Sequence, residues 1–143
     1  MGEGLVFHRR HAECATKDMI EARMEPKKFH LQANEILQLA PGRGSCMATD
    51  MITVHGQRVG FMYRLAPDPK SKFHDMDSGW TFLAGTETQD YLDEPCNLAI
   101  YDVNTIANYD PEIIPLLDAP LGSAFARESS SGRFMLAAPP PTE

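Results

Sequence analysis

Residues 97–127, NLAIYDVNTIANYDPEIIPLLDAPLGSAFAR, carry the pattern on which the fold turns. They open on an apolar run of strand length, NLAIYDV. The next stretch mixes helical spacing with Pro111, Pro115 and Pro120. Proline lacks an N–H and clashes with the preceding turn, so one continuous helix is excluded and two short helical turns are predicted. GSAFARE then returns to strand character.

Upstream of this segment, CMATDMITV gives way at His55-Gly56 to QRVGFMYRL, in which Val54, Val59, Phe61 and Tyr63 suit strands, and a β-hairpin is predicted. APDPKSKFHDMDSG reads as an irregular loop. WTFLAG, residues 80–85, reads as a strand ended by Gly85. TETQDYLDEP reads as a short helix capped by Thr86, with Glu87 and Gln89 in its first turn and Pro95 at its end. The order of hairpin, strand, helix, strand, helical turns and strand predicts an α+β fold with a mainly antiparallel sheet and short helices. No dinucleotide or P-loop glycine motif occurs.

The ends read differently. In KFHLQANEILQLA, the residues Phe29, Leu31, Ala33, Ile36, Leu37 and Leu39 outline the apolar face of an amphipathic helix between Pro26 and Pro41-Gly42. Residues 1–44 are therefore expected to be an N-terminal helical extension and residues 45–128 the main domain. The proline-rich residues 129–143 are expected to form an unstructured tail.

A chain of 143 residues, 43% hydrophobic and 23% charged, has the composition of one ordinary soluble domain. No apolar run reaches the roughly 20 residues of a membrane helix, and the N-terminus has no secretion signal, so a cytoplasmic protein without membrane contact is expected. Val6 stands where a myristoylation site needs Ser or Thr. Cys14, Cys46 and Cys96 are odd in number and widely spaced, which predicts free, mostly buried thiols. Residues 1–44 carry seven basic and six acidic side chains (+1), and the remaining residues six basic and fourteen acidic (−8), which sum to the net charge of −7. No Lys or Arg lies between Lys72 and Arg127. Such a field repels nucleic acid and favours a cationic partner. The same acidity also serves as a solvated face kept for solubility.

The segment 97–127 is similar almost throughout to the C-terminal block of a bacterial immunity-protein family once described as a domain of unknown function. CMATDMITVHGQRVGFMYR resembles that family's opening hairpin, and DSGWTFLAGTETQDYLDEP its central block. Together the three blocks cover roughly residues 45–127. The resemblance implies a small α+β protein encoded beside a toxin of a polymorphic toxin system, acting by binding and silencing that toxin rather than by catalysis. It implies a toxin partner and no cofactor, and it says nothing of residues 1–44. Gly79, Trp80, Asn104, Asn108, Tyr109, Asp110, Pro111, Asp118 and Gly122 fall in the matched blocks as positions of structural weight.

Asp75, Asp77, Trp80, Glu87, Asp90, Asp93 and Glu94 are the candidates for contact with a basic toxin surface. Taken singly, each carboxylate also fits solvated surface or helix capping, and Trp80 fits a core anchor. Asn104, Asn108, Tyr109, Asp110 and Asp118 suit turns held by side-chain to backbone bonds. The alternative functions are a small metal-dependent or acid/base enzyme using His74, Asp75 and Asp77, and a regulatory module unconnected with toxins. His8, His11 and Cys14 have the spacing of ligands on a helix face but lack a fourth member, and no metal site is expected. Oligomeric state leaves no mark on the sequence.

Overall fold

A computed structural model of the chain describes residues 27–72, 74–129 and 131–140. Six strands form one sheet: β1 (Ser45–Thr49), β2 (Phe61–Arg64), β3 (Asp77–Leu83), β4 (Leu98–Asp102), β5 (Ala124–Arg127) and β6 (Phe134–Ala137), in spatial order β4-β1-β3-β2-β5-β6. Every neighbouring pair is antiparallel except β1 and β3, which run parallel. Three short α-helices, α1 (Asp50–Thr53), α2 (Gln89–Asp93) and α3 (Val103–Tyr109), and the 3-10 turns Ala33–Glu35, His74–Met76, Pro95–Asn97 and Pro111–Leu116 complete the described elements. The α+β class with a mainly antiparallel sheet is borne out.

The expected hairpin is not formed. β3 lies between β1 and β2. The reason is local: α1 follows β1 at once, and the N–H groups of Val54, His55, Gly56 and Gln57 are bonded to the carbonyls of Asp50, Ile52 and Met51. Those donors are not available to a ladder. Gly56, at φ 75°, ends the helical turn in a conformation that glycine adopts without steric cost. β3, longest of the strands and buried from Gly79 to Leu83, takes the central place.

One face of the sheet carries Cys46, Ala48, Met62, Trp80 and Phe82, against which α3 and the following 3-10 turn pack Val103, Ile106, Ala107, Ile113 and Leu117. Val103, Ile106 and Ala107 recur at helical spacing and supply the apolar stripe of α3. Trp80 is 1% exposed, stacks on Phe82 at 5.9 Å and donates its indole N–H to the Leu117 carbonyl at 3.2 Å. The other face gathers Met47, Tyr63, Leu83, Leu92, Leu98 and Ala124 into a second cluster. Full burial of each aliphatic side chain contributes about 1.5–3 kcal/mol.

Four further expectations are corrected. Residues 28–40 are not an amphipathic helix: the one helical step is the 3-10 turn Ala33–Glu35, and the N–H groups of Leu37, Leu39 and Ala40 are bonded to side chains of α3. α2 begins at Gln89 under a Thr88 cap, which accepts from the Tyr91 N–H, while Thr86 donates to Gln57. Residues 129–143 are not wholly unstructured, since Phe134–Ala137 pairs with β5. The Arg127 guanidinium holds this strand, lying 4.2 Å from the Phe134 ring centroid and donating to the Gly132 carbonyl. Cys46 is a free, buried thiol as expected, but Cys96, half-buried in the turn after α2, is disulfide-bonded. Cys14, His8 and His11 lie outside the described residues.

Burial pushes Tyr101 up to about 12, outweighing the hydrogen bond from Thr53 that favours its ionised form. Burial, joined by the negative charges of Asp50 and Glu87, pushes Tyr91 up to about 12. Burial raises Tyr109 as well. A folded-state pKa above the unfolded value of about 10 means that these phenols stabilise the fold fully below pH ~10, and for Tyr91 and Tyr101 that contribution is lost as pH rises to about 12. Alkaline titration followed at once by tyrosinate absorbance and circular dichroism is therefore expected to show unfolding and phenol ionisation in one joint transition above pH ~10. Tyrosinates appearing at pH ~10 in a still-folded chain would contradict it.

Candidate protein-binding site

Much of the acidity between Lys72 and Arg127 is used inside the molecule. Glu87 is 6% exposed, and its carboxylate accepts from Thr49 Oγ1 at 2.5 Å, Ala84 N at 2.8 Å and Gly85 N at 2.9 Å. It closes the turn after β3. Asp110 is buried, accepts from the Val59 and Glu112 N–H groups, and pairs with Arg127 at 2.5 Å. Glu112 also pairs with Arg127, whose hydrogen bond and charge hold its carboxyl below the usual range; Arg43 does the same for Asp118. Asp102 caps α3 by accepting from Asn104 N. Glu87 and Trp80 are thus corrected as surface candidates: both are sealed in the body.

The remaining candidates fall into two sets. Asp77 begins β3 and pairs in register with Ser45, which itself sits opposite Asp102. Its carboxylate accepts from Gly79 N at 2.8 Å. Asp75, in the preceding turn, is fully exposed and lies 3.3 Å from its neighbour His74. Arg43, paired with Asp118, lies two residues before Ser45, and Lys70 and Lys72 are exposed on the incoming loop. Charge at this end of the sheet is mixed.

Asp90, Asp93 and Glu94 lie at the opposite end, on and just after α2, beyond the C-terminus of β3. Six residue steps along β3 separate the two ends by about 20 Å at ~3.3 Å per residue. All three carboxylates are exposed, and among the described residues none makes an ion pair. Asp93 accepts from Gln89 four residues earlier, and Glu94 from Cys96 N. Asp50, in α1 at the same end, pairs with Lys27 at 2.9 Å. Among the described residues, this is the surface on which like charge is concentrated without an ion-pair partner.

His74, Asp75 and Asp77 do not converge. His74 and Asp75 point to solvent with side chains 46% and 101% exposed, and the Asp77 carboxylate bends back to its own main chain. Among the described residues no group of three or more His, Cys, Asp or Glu side chains is placed to hold a metal ion.

Sequence reasoning reached the asparagines of α3 but not their partners. Asn104 Oδ1 accepts from Leu39 N at 2.8 Å and Ala40 N at 2.7 Å, and its Nδ2 donates to the Leu37 carbonyl at 2.9 Å. Asn108, one turn on, accepts from Leu37 N at 2.9 Å and donates to the same carbonyl at 2.8 Å. Tyr109 Oη accepts from Leu31 N at 3.0 Å and donates to the Thr53 carbonyl at 2.9 Å. The amides thus bind a strap, residues 31–40, far away in the sequence rather than a local turn. Of the other motif positions, Pro111 opens a 3-10 turn, Gly122 takes φ 91° in the connection to β5, and Gly79 is required by contact, since a Cβ there would meet the Leu65 carbonyl at 2.3 Å.

The body of the molecule, from β1 to β6, matches one family model, described as Immunity protein Imm33 domain, over residues 46–137. The chain belongs to this immunity-protein family. The match takes in all six strands, α2 with its carboxylates and the asparagines of α3, and it begins after the strap. No curated protein and no solved structure matches the chain. The Imm33 domain therefore consists here of the six-stranded sheet with α3 on one face, and β6, outside the domain expected from sequence, lies within it.

Proposed function

We propose that this Imm33 chain acts by binding, without catalysis, and neutralises a cognate toxin through the exposed carboxylates of Asp90, Asp93 and Glu94. The family match over residues 46–137 carries the immunity half of this reading. The acidic half is supported by the three carboxylates on and after α2, which face solvent without cationic partners among the described residues. Uncompensated charge of this kind speeds encounter with a basic surface and loses its effect as salt rises. Asp75 and Asp77 suit this role less, because Arg43, Lys70 and Lys72 share their end of the sheet.

The test is capture of the product of the adjacent toxin gene by the purified chain. Asp90→Lys, Asp93→Lys and Glu94→Lys together are expected to slow association by at least about tenfold at low salt, whereas Asp75→Lys with Asp77→Lys changes it far less. Equal effects from the two sets would remove α2 as the docking face. Absence of capture of a folded, active toxin would remove the immunity reading.

A further inference from the structure

The strap is held in an uncommon way. Six hydrogen bonds from Asn104, Asn108 and Tyr109 reach it, and every one ends on a main-chain N–H or carbonyl of Leu31, Leu37, Leu39 or Ala40. The strap side chains add little: Leu37 is 62% exposed, Leu39 40%, and only Ala40 is buried. A backbone that turns at Ala33–Glu35 and again between Leu37 and Leu39 is therefore held through its N–H and carbonyl groups rather than through its side chains. A segment with so little buried apolar area belongs to the low-stability end of a structure and opens independently of the core.

The asparagines and Tyr109 lie inside the residues matched by the Imm33 model, and the strap lies upstream of them. The receiving groove is thus part of the matched domain, while its occupant lies outside the match. With the strap lifted, the Asn104 amide, 7% exposed in the closed form, would need a replacement partner. The Tyr109 end of the groove abuts α1 at Thr53, next to Asp50 and hence on the same end of the sheet as α2.

We propose that Asn104, Asn108 and Tyr109 form a site for a polypeptide segment read through its main chain, that residues 31–40 fill it as a displaceable occupant, and that a segment of the protein partner enters in their place. The partner half rests on the immunity reading above; the site itself does not. The fit requires a run free of proline at the donor positions, and it sets no demand on outward side chains.

The probe is a fluorescein-labelled synthetic peptide copying residues 29–40, measured by anisotropy against the full chain. Leu37→Pro with Leu39→Pro removes two strap donors while leaving the groove untouched, and Ile36, at φ −83° and ψ 120°, already has the conformation a following proline demands. A tethered occupant competes at an effective concentration of the order of millimolar, so the double variant is expected to bind the peptide at least about tenfold more tightly than the unaltered chain. Adding Asn104→Ala and Asn108→Ala removes that gain. On the same folded double variant, a peptide N-methylated at the positions of Leu37 and Leu39 loses binding, and one with the outward positions scrambled keeps it.

Equal binding to the unaltered and double-variant chains, or undiminished binding of the methylated peptide, overturns the site. Toxin captured by the double variant and competed off by the unmodified peptide supports the partner half. Toxin captured but not displaced overturns that half while the immunity reading stands. Peptide binding without toxin capture overturns the immunity reading alone.

Discussion

Arg127→Met is expected to cost about 3–5 kcal/mol of unfolding free energy, the range for breaking a buried ion pair by removing one partner. The Arg127 and Asp110 side chains are 11% and 4% exposed, and the guanidinium also donates to the Val59 and Gly132 carbonyls and to Glu112. It ties β5, the approach to β2, the turn before β6 and the start of the 3-10 turn at Pro111 into one joint. Methionine keeps much of the apolar stem but leaves the Asp110 carboxylate in the interior with only the N–H groups of Val59 and Glu112. Urea unfolding at neutral pH measures this as a lower midpoint with an unchanged slope. Adding Asp110→Asn is expected to cost less than the sum of the two single losses, because the pair acts as a unit. A loss below about 1 kcal/mol for Arg127→Met would place the pair in the class of solvated surface bridges.

Glu87→Ala is expected to lose roughly 3 kcal/mol, since each buried donor left without an acceptor costs about 1–3 kcal/mol. Three donors are involved: the Thr49 hydroxyl and the N–H groups of Ala84 and Gly85. The effect separates structure from binding. Asp90→Ala, three residues on and exposed, is expected to leave the unfolding midpoint nearly unchanged, within about 0.5 kcal/mol as for ordinary surface positions. Parallel melts of the two variants check it. Equal stability of both would mean that the carboxylate of Glu87 is solvated after all.

Glu87 and Asp90 also show where reading the sequence stops. Both stand in the same acidic stretch, and composition treats them alike. One meets three donors from β1 and the turn after β3, and the other meets water. Burial of a carboxylate depends on where distant donors arrive, which no local pattern encodes. The strap is a second instance. Its apolar residues have a helical recurrence, but the hydrogen bonds that hold it open come from Asn104 and Asn108, between 64 and 71 positions away. A weak helical pattern yields to side chains that satisfy the same N–H groups outside a helix. The hairpin expected across His55-Gly56 failed on a closer scale, because four N–H groups that a ladder would need were taken by the helical turn of α1.

What the sequence by itself determined are properties set within a few residues or by whole-chain composition. These are the α+β class, the proline-broken helical stretch after β4 and the blocks that resemble immunity proteins. Only the tertiary structure decided the strand order with its one parallel pair, the inward turn of Glu87 and Asp110, and the clasp of α3 on residues 31–40. These depend on partners brought together from across the chain. The free energy of a buried polar group is set by whichever partner the completed fold delivers to it.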